Sequence, residues 1–133
     1  MTNKSKKILS EISAGELLDK ISILEIKIEK ITDKDNLREI KKEYKVLKIT
    51  QKIFIKSSAK IKNLFREVKK INLSLWEIED KIRICEKNKD FEKNFINLAR
   101  KVYFKNDKRA KVKSKINKVL GSNIKEIKQY VNY

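Results

Sequence analysis

The sequence predicts an all-α protein: a helical bundle built on a long antiparallel helical hairpin with two shorter C-terminal helices. Three observations point there. Apolar residues recur at alternating spacings of three and four along most of the chain, no segment sustains a period of two, and the 133 residues contain no Pro and only two Gly. That length accommodates one compact domain, taken as residues 1–133, with a flexible N-terminus over 1–11 and a C-terminal tail over 122–133.

The first helix opens at Ser13, because Ser13-Ala14-Gly15-Glu16 has the form of a capping box and Ile12 and Leu17 sit at hydrophobic-staple positions. Leu17, Ile21, Leu24, Ile28 and Ile31 form its seam, while Leu18, Ile23 and Ile26 lie off it. A helix apolar on more than one face belongs at the centre of a bundle or at an oligomer interface. Thr32 to Asn36 is a turn of capping residues, followed by a second seam of Leu37, Ile40, Tyr44, Leu47, Gln51 and Phe54.

From Ile61 the series Leu64, Val68, Ile71, Leu75, Ile78, Ile82 and Cys85 keeps strict 3,4 spacing, which favours shallow, coiled-coil-like packing. No Gly or Pro interrupts Leu37 to Glu86, so one helix of about 75 Å is allowed. A phase slip at Leu64 and Phe65 favours two helices with a break near Lys56 to Ala59. Asn88-Lys89-Asp90 ends the third helix, and a fourth is expected from about Asp90 to Tyr103 with Phe91, Phe95, Leu98, Ala99 and Val102 inward. Asn106-Asp107 then caps a fifth, carrying Ala110, Val112, Ile116 and Val119 and closed by Gly121.

Composition excludes several chemistries. With no His and a single Cys, a disulfide framework, a Cys/His zinc site and a histidine base are all out of reach. Cys85 reads as a small seam hydrophobe, the two glycines form no phosphate loop, and no pattern calls for a metal or cofactor. No apolar run reaches the length of a bilayer span, and residues 1–10 lack the apolar core of a signal peptide. The expectation is a cytoplasmic protein.

Lys and Arg outnumber Asp and Glu by 35 to 18, a net charge of +17, which points to an anionic partner. However, 30 Lys, 20 Ile and 11 Asn, all encoded by A/T-rich codons, account for 61 of the residues, and nucleotide drift alone produces such a chain. The excess is uneven: residues 1–50 carry +3 and residues 51–133 carry +14, with 11 basic side chains between Arg100 and Lys128. Arg is scarce, at Arg38, Arg66, Arg83, Arg100 and Arg109, and its planar fork suits bidentate pairing that Lys cannot imitate.

The run Ser13-Ala14-Gly15-Glu16-Leu17-Leu18-Asp19-Lys20-Ile21-Ser22-Ile23-Leu24-Glu25-Ile26-Lys27 resembles the bacterial and phage family DUF6165. So do Asn72-x-x-Leu75-Trp76-x-Ile78-Glu79-Asp80-x-Ile82-Arg83-x-x-Glu86 and Leu98-Ala99-Arg100-x-Val102-Tyr103-x-x-Asn106-Asp107-x-Arg109-Ala110-x-x-Lys113. The likeness extends through Gly121-Ser122 and Glu126-x-Lys128-x-Tyr130, leaving out the segment around Thr50 to Lys60 and the tail from Val131. It implies no established activity. It implies that the polar motif residues matter, and a loose association with surface-polysaccharide gene neighbourhoods.

Within these motifs Glu79, Asp80 and Glu86 all reach Arg83 at helical spacing. The cluster is either an oriented Arg at a pocket edge or a self-satisfied ion-pair group. Arg100 and Tyr103 share a helical face, and the helix start at Asp107 would bring Arg109 and Lys113 to a potential anion site, unless Asp107 itself occupies the donors. Trp76 and Tyr103 either stack on a ligand ring or pack in the core. Glu16-x-x-Asp19 and Glu77-x-x-Asp80 only weakly resemble paired metal-binding carboxylates.

The expected function is binding of an anionic small molecule or protein partner by Arg83, Arg100, Arg109, Lys20, Lys113 and Tyr103, oriented by Glu79, Asp80, Glu86 and Asp107. Rival expectations are a nucleic-acid-binding module, an enzyme acting on an anionic metabolite such as a nucleotide or sugar nucleotide, and a homo-oligomer joined through the first helix.

Overall fold

A computed structural model describes residues 6–133; that part of the expected flexible N-terminus lying at 1–5 is outside the described residues. The described chain is all-helical, with four helices and no strand: α1 (Ala14–Lys30), α2 (Lys34–Phe54), α3 (Ala59–Lys87) and α4 (Lys93–Leu120). The backbone of α1 lies close to each of the other three helices, α3 and α4 lie alongside each other, and the α2 backbone comes close to α1 alone. The off-seam apolar residues of α1 account for its position, since Leu18 and Ile26 are as deeply buried as Ile21. Fully burying such side chains contributes about 1.5–3 kcal/mol each.

The α3 seam is buried at Ile61, Leu64, Val68, Ile71, Leu75, Ile78 and Cys85. Its first part joins Leu17, Leu18, Ile21, Val112 and Ile116 in the main core, and its last part joins Leu98 in a smaller cluster flanked by Ile82, Phe95 and Val102. Asn94 meets Cys85 and Arg109 meets Asn72, so residue numbers fall along α3 as they rise along α4. The expected break before Ala59 is present, with the Ser58 hydroxyl capping α3 at Ile61 N–H.

Several expectations are corrected, and Phe91, expected inward, is exposed. The separate fourth and fifth helices are one helix of 28 residues. Asn106 and Asp107 cap nothing, because the Asn106 carboxamide turns sideways to Arg109 within the helix and the backbone spiral continues. At the end of α2, Phe54 is exposed and Ile55 packs against the core instead, since the chain leaves the helix between them. Val119 is likewise exposed, and Leu120 takes the inward position.

The start of α1 is seated on the end of α4. Ala14 N–H donates to Ser122 Oγ, Gly15 N–H to the Asn117 side-chain oxygen at 2.6 Å, and Glu16 N–H to Ser13 Oγ, so three of the four orphan donors at the helix start find acceptors. Gly15 permits the approach, because a Cβ there would lie 2.6 Å from the Lys113 carbonyl oxygen. Gly121, left-handed at φ 61°, closes α4 while Ser122 N–H reaches back to Asn117 O. α3 ends in the same manner, with Lys89 at φ 53° and Asp90 N–H bonded to Cys85 O.

Helix propensity alone would make Gly15→Ala stabilising by up to about 1 kcal/mol, but the clash is with backbone that cannot step aside. A net loss of about 1–3 kcal/mol in urea unfolding is expected. Lys89→Gly, which relieves a side chain from the left-handed region, should gain about 1 kcal/mol in the same assay.

Candidate anion-binding cleft

Asn72 on α3 is one of the buried polar residues. Its Nδ2 donates to Asp19 Oδ1 at 2.7 Å and Ser22 Oγ at 2.8 Å, both on α1. Its Oδ1 accepts from Arg109 on α4 at 3.1 Å, and the other terminal nitrogen of Arg109 donates to Asn106 Oδ1 at 2.8 Å. Ser22 Oγ returns its own proton to Asp19 O. The orientation of the Asn72 amide follows from these partners, as the reverse would set its oxygen against the Asp19 carboxylate.

Arg109 therefore has two amide oxygens and, among the described residues, no carboxylate within ion-pair distance. It lines a cleft of about 610 Å³ where α1, α3 and α4 meet. Arg83, Glu79 and Asp80 line the same cleft from α3, Trp76 and Leu75 sit deeper along that helix, and Ile23, Ile26 and Val102 supply apolar wall. Arg83 pairs with Glu79 at 2.6 Å, an exposed bond of little energetic weight. Neither Asp80 nor Glu86 pairs with it, so the expected threefold acid cluster reduces to one partner.

The other predicted site residues lie elsewhere. Arg100 sits over the Phe104 ring at 5.9 Å and lines no part of the cleft. Tyr103 packs against Phe104 and Tyr133. The predicted convergence of three guanidinium groups is thus a convergence of two. Asp107 lies inside α4 and accepts from the Tyr133 hydroxyl, which pushes the Tyr133 pKa up to about 12. It orients no Arg. Asn72 and Asn106 do that work, and an i,i+3 Asn106/Arg109 spacing was the one local sign of it.

Lys20 and Lys113 belong to a different cluster at the start of α1. Lys113 Nζ contacts Glu16 at 2.6 Å, Glu126 at 2.9 Å and Asp19 at 3.7 Å, and Lys20 pairs with Glu16 at 3.7 Å. Burial acts to lower the Lys113 pKa, but its bonds to Glu16 and Glu126 outweigh this and hold it above the usual lysine value. For Glu126 burial acts upward, and the Ser13 and Lys113 hydrogen bonds outweigh it to hold the carboxyl below the usual range. Glu16 and Asp19 are thus occupied by Lys113, while Glu77 and Asp80 line different cavities, so the two carboxylate pairs do not converge.

The model of DUF6165, described as a family of unknown function, matches residues 8–133. No curated protein and no solved structure matches the chain. No helix of the described residues is long and apolar enough to cross a membrane.

Replacing Asn72 with Leu leaves Asp19 and Arg109 without their shared partner. Unfolding in urea should show a loss of roughly 2–4 kcal/mol. Because the Glu126 pKa is lowered on folding, its bonds stabilise the protein above the ordinary value of 4.5 and are lost as pH falls below it. The melting temperature of Glu126→Gln should accordingly lie below wild type at neutral pH, with the gap closing as the pH drops well under 4.5.

Proposed function

Because the chain belongs to the DUF6165 family, whose description assigns no activity, we propose its function from the geometry: it binds a small anionic ligand in the cleft between α1, α3 and α4. The observation that carries this is Arg109. Two of its five N–H groups are fixed on Asn72 and Asn106, and the remaining three have no acceptor among the described residues. A guanidinium held in one plane by neutral amides keeps its full charge and a fork suited to a carboxylate or phosphate.

Arg83, tethered by Glu79 at the cleft edge, adds a second cation that a ligand can recruit, and Asp80 supplies an acceptor for a hydroxyl or ammonium group. Trp76 and the apolar wall favour a ligand whose anionic end is joined to a ring or hydrocarbon body. A phosphorylated sugar satisfies these demands and is consistent with the polysaccharide context that the family resemblance implies. The bundle supports such a site by setting α3 and α4 as an antiparallel hairpin across α1, so that the binding groups come from packed helices and not from loops.

Native mass spectrometry of the purified protein should retain a small anionic adduct, or acquire one from a panel of sugar phosphates and dicarboxylates. Arg109→Lys, which keeps the charge but loses the fork, should weaken binding of that compound at least tenfold in calorimetry. Arg38→Lys, on the exposed face of α2, should leave it unchanged. Equal effects of the two substitutions exclude the cleft as the site.

A further inference from the structure

On the side of the α3/α4 contact away from α1 lies a second, larger groove of about 1090 Å³, walled by α3, α4 and the C-terminal tail. Six lysines line it: Lys81 from α3, Lys101, Lys105, Lys108 and Lys111 from α4, and Lys128 from the tail. Among the described residues none of the six forms an ion pair. Only two carboxylates, Glu77 and Asp107, line the groove, and Asp107 already accepts from Tyr133.

A lysine-rich chain exposes ammonium groups everywhere, so charge by itself distinguishes nothing. This groove also gathers aromatic rings. Phe104, Tyr130 and Tyr133 line it, with Tyr130 60% and Tyr133 75% exposed. The tail that carries both tyrosines is anchored where Tyr133 meets Phe104 at 5.3 Å and Tyr103 at 5.4 Å. Exposed rings beside unpaired cations on a concave wall suit a polymer that offers both phosphates and flat apolar faces.

We propose that this groove binds single-stranded nucleic acid, with the lysines following the phosphates and Phe104, Tyr130 and Tyr133 receiving unpaired bases. From Lys101 to Lys111 the α4 wall runs about 15 Å and presents four lysines, Lys101, Lys105, Lys108 and Lys111, enough to neutralise about four phosphates. A duplex hides its base faces and leaves the rings unused. An acidic protein would engage the lysines without drawing on the rings. The groove is independent of the Arg109 cleft, and either site can fail without the other.

The test is fluorescence anisotropy of the full chain with a labelled oligothymidylate. The logarithm of affinity should fall with the logarithm of salt at a slope of about −3, as expected for about four phosphates at ~0.7 each. The double substitution Lys101→Glu, Lys108→Glu should weaken binding about tenfold or more, whereas Lys41→Glu, Lys42→Glu removes the same charge from α2 and should change it less than about twofold. Tyr130→Ala, on the exposed tail, should lose about fivefold or more.

Equal losses from the two charge pairs would reduce binding to net charge and overturn the proposal. So would a duplex of the same length binding as tightly as the single strand, or a sulfated polysaccharide displacing the oligonucleotide while Tyr130→Ala has no effect. Amide shifts in wild-type protein on adding oligothymidylate should centre on Lys105, Lys108 and Tyr133. Shifts confined to α2 contradict the assignment even if a variant fails to fold.

Discussion

A single carboxamide, that of Asn72, sets the relation among three helices. Burying the Asp19 carboxylate is expensive unless donors meet it, and Asn72 meets it from α3 while also holding Ser22. With both amide protons committed to α1, the amide oxygen is left facing α4, where Arg109 takes it. Sliding α3 by a turn breaks all three of these bonds, sliding α1 breaks the two to Asp19 and Ser22, and sliding α4 breaks the one from Arg109. The apolar core at Ile21, Val68 and Ile116 supplies most of the driving force for packing, but oily contacts tolerate small slips. The amide network does not, and so it fixes where the cleft's guanidinium points.

The seat of α1 on α4 uses the same logic at the backbone level. The helix start carries partial positive charge, and the acids gathered there, Glu16, Asp19 and Glu126, respond to it and to Lys113 together. In a chain with a net charge of +17, three of the four ion-pair contacts among the described residues whose side chains are both buried or half-buried belong to Lys113 at this corner. The lysines of α4 facing the tail share their groove with only Glu77 and Asp107 and, among the described residues, form no ion pair. One long helix therefore presents a neutralised edge to α1 and an uncompensated edge to the tail, which separates a structural use of positive charge from a surface use.

What the sequence disclosed follows the range of the interaction. The Ser13 cap, the break before Ala59, the α3 seam and the Glu79–Arg83 pair all involve neighbours within a few residues. The reciprocal half of the Ser13 box, expected from Glu16, is not made, because the Glu16 carboxylate is drawn away by Lys113, 97 residues distant. Asn106-Asp107 looked like a helix start because capping residues also serve as side-chain partners inside a helix, and only tertiary context separates these uses. Asn72 stood at the head of a family motif, but as one of 11 asparagines it carried no local sign of what it bonds. Its partners lie 37 to 53 residues away, beyond what periodicity can report.

α2 stands apart from this scheme. It buries no residue of its own and leans on the core through Tyr44, Leu47 and, just past its end, Ile55. Its ties to the rest are the Tyr44 hydroxyl on Glu25, which also receives Lys69, and the short connections at either end. Elements with few buried contacts open at lower free energy than the whole. α2 should therefore open at lower free energy than the rest of the bundle, and neither the cleft nor the tail groove takes a wall from it.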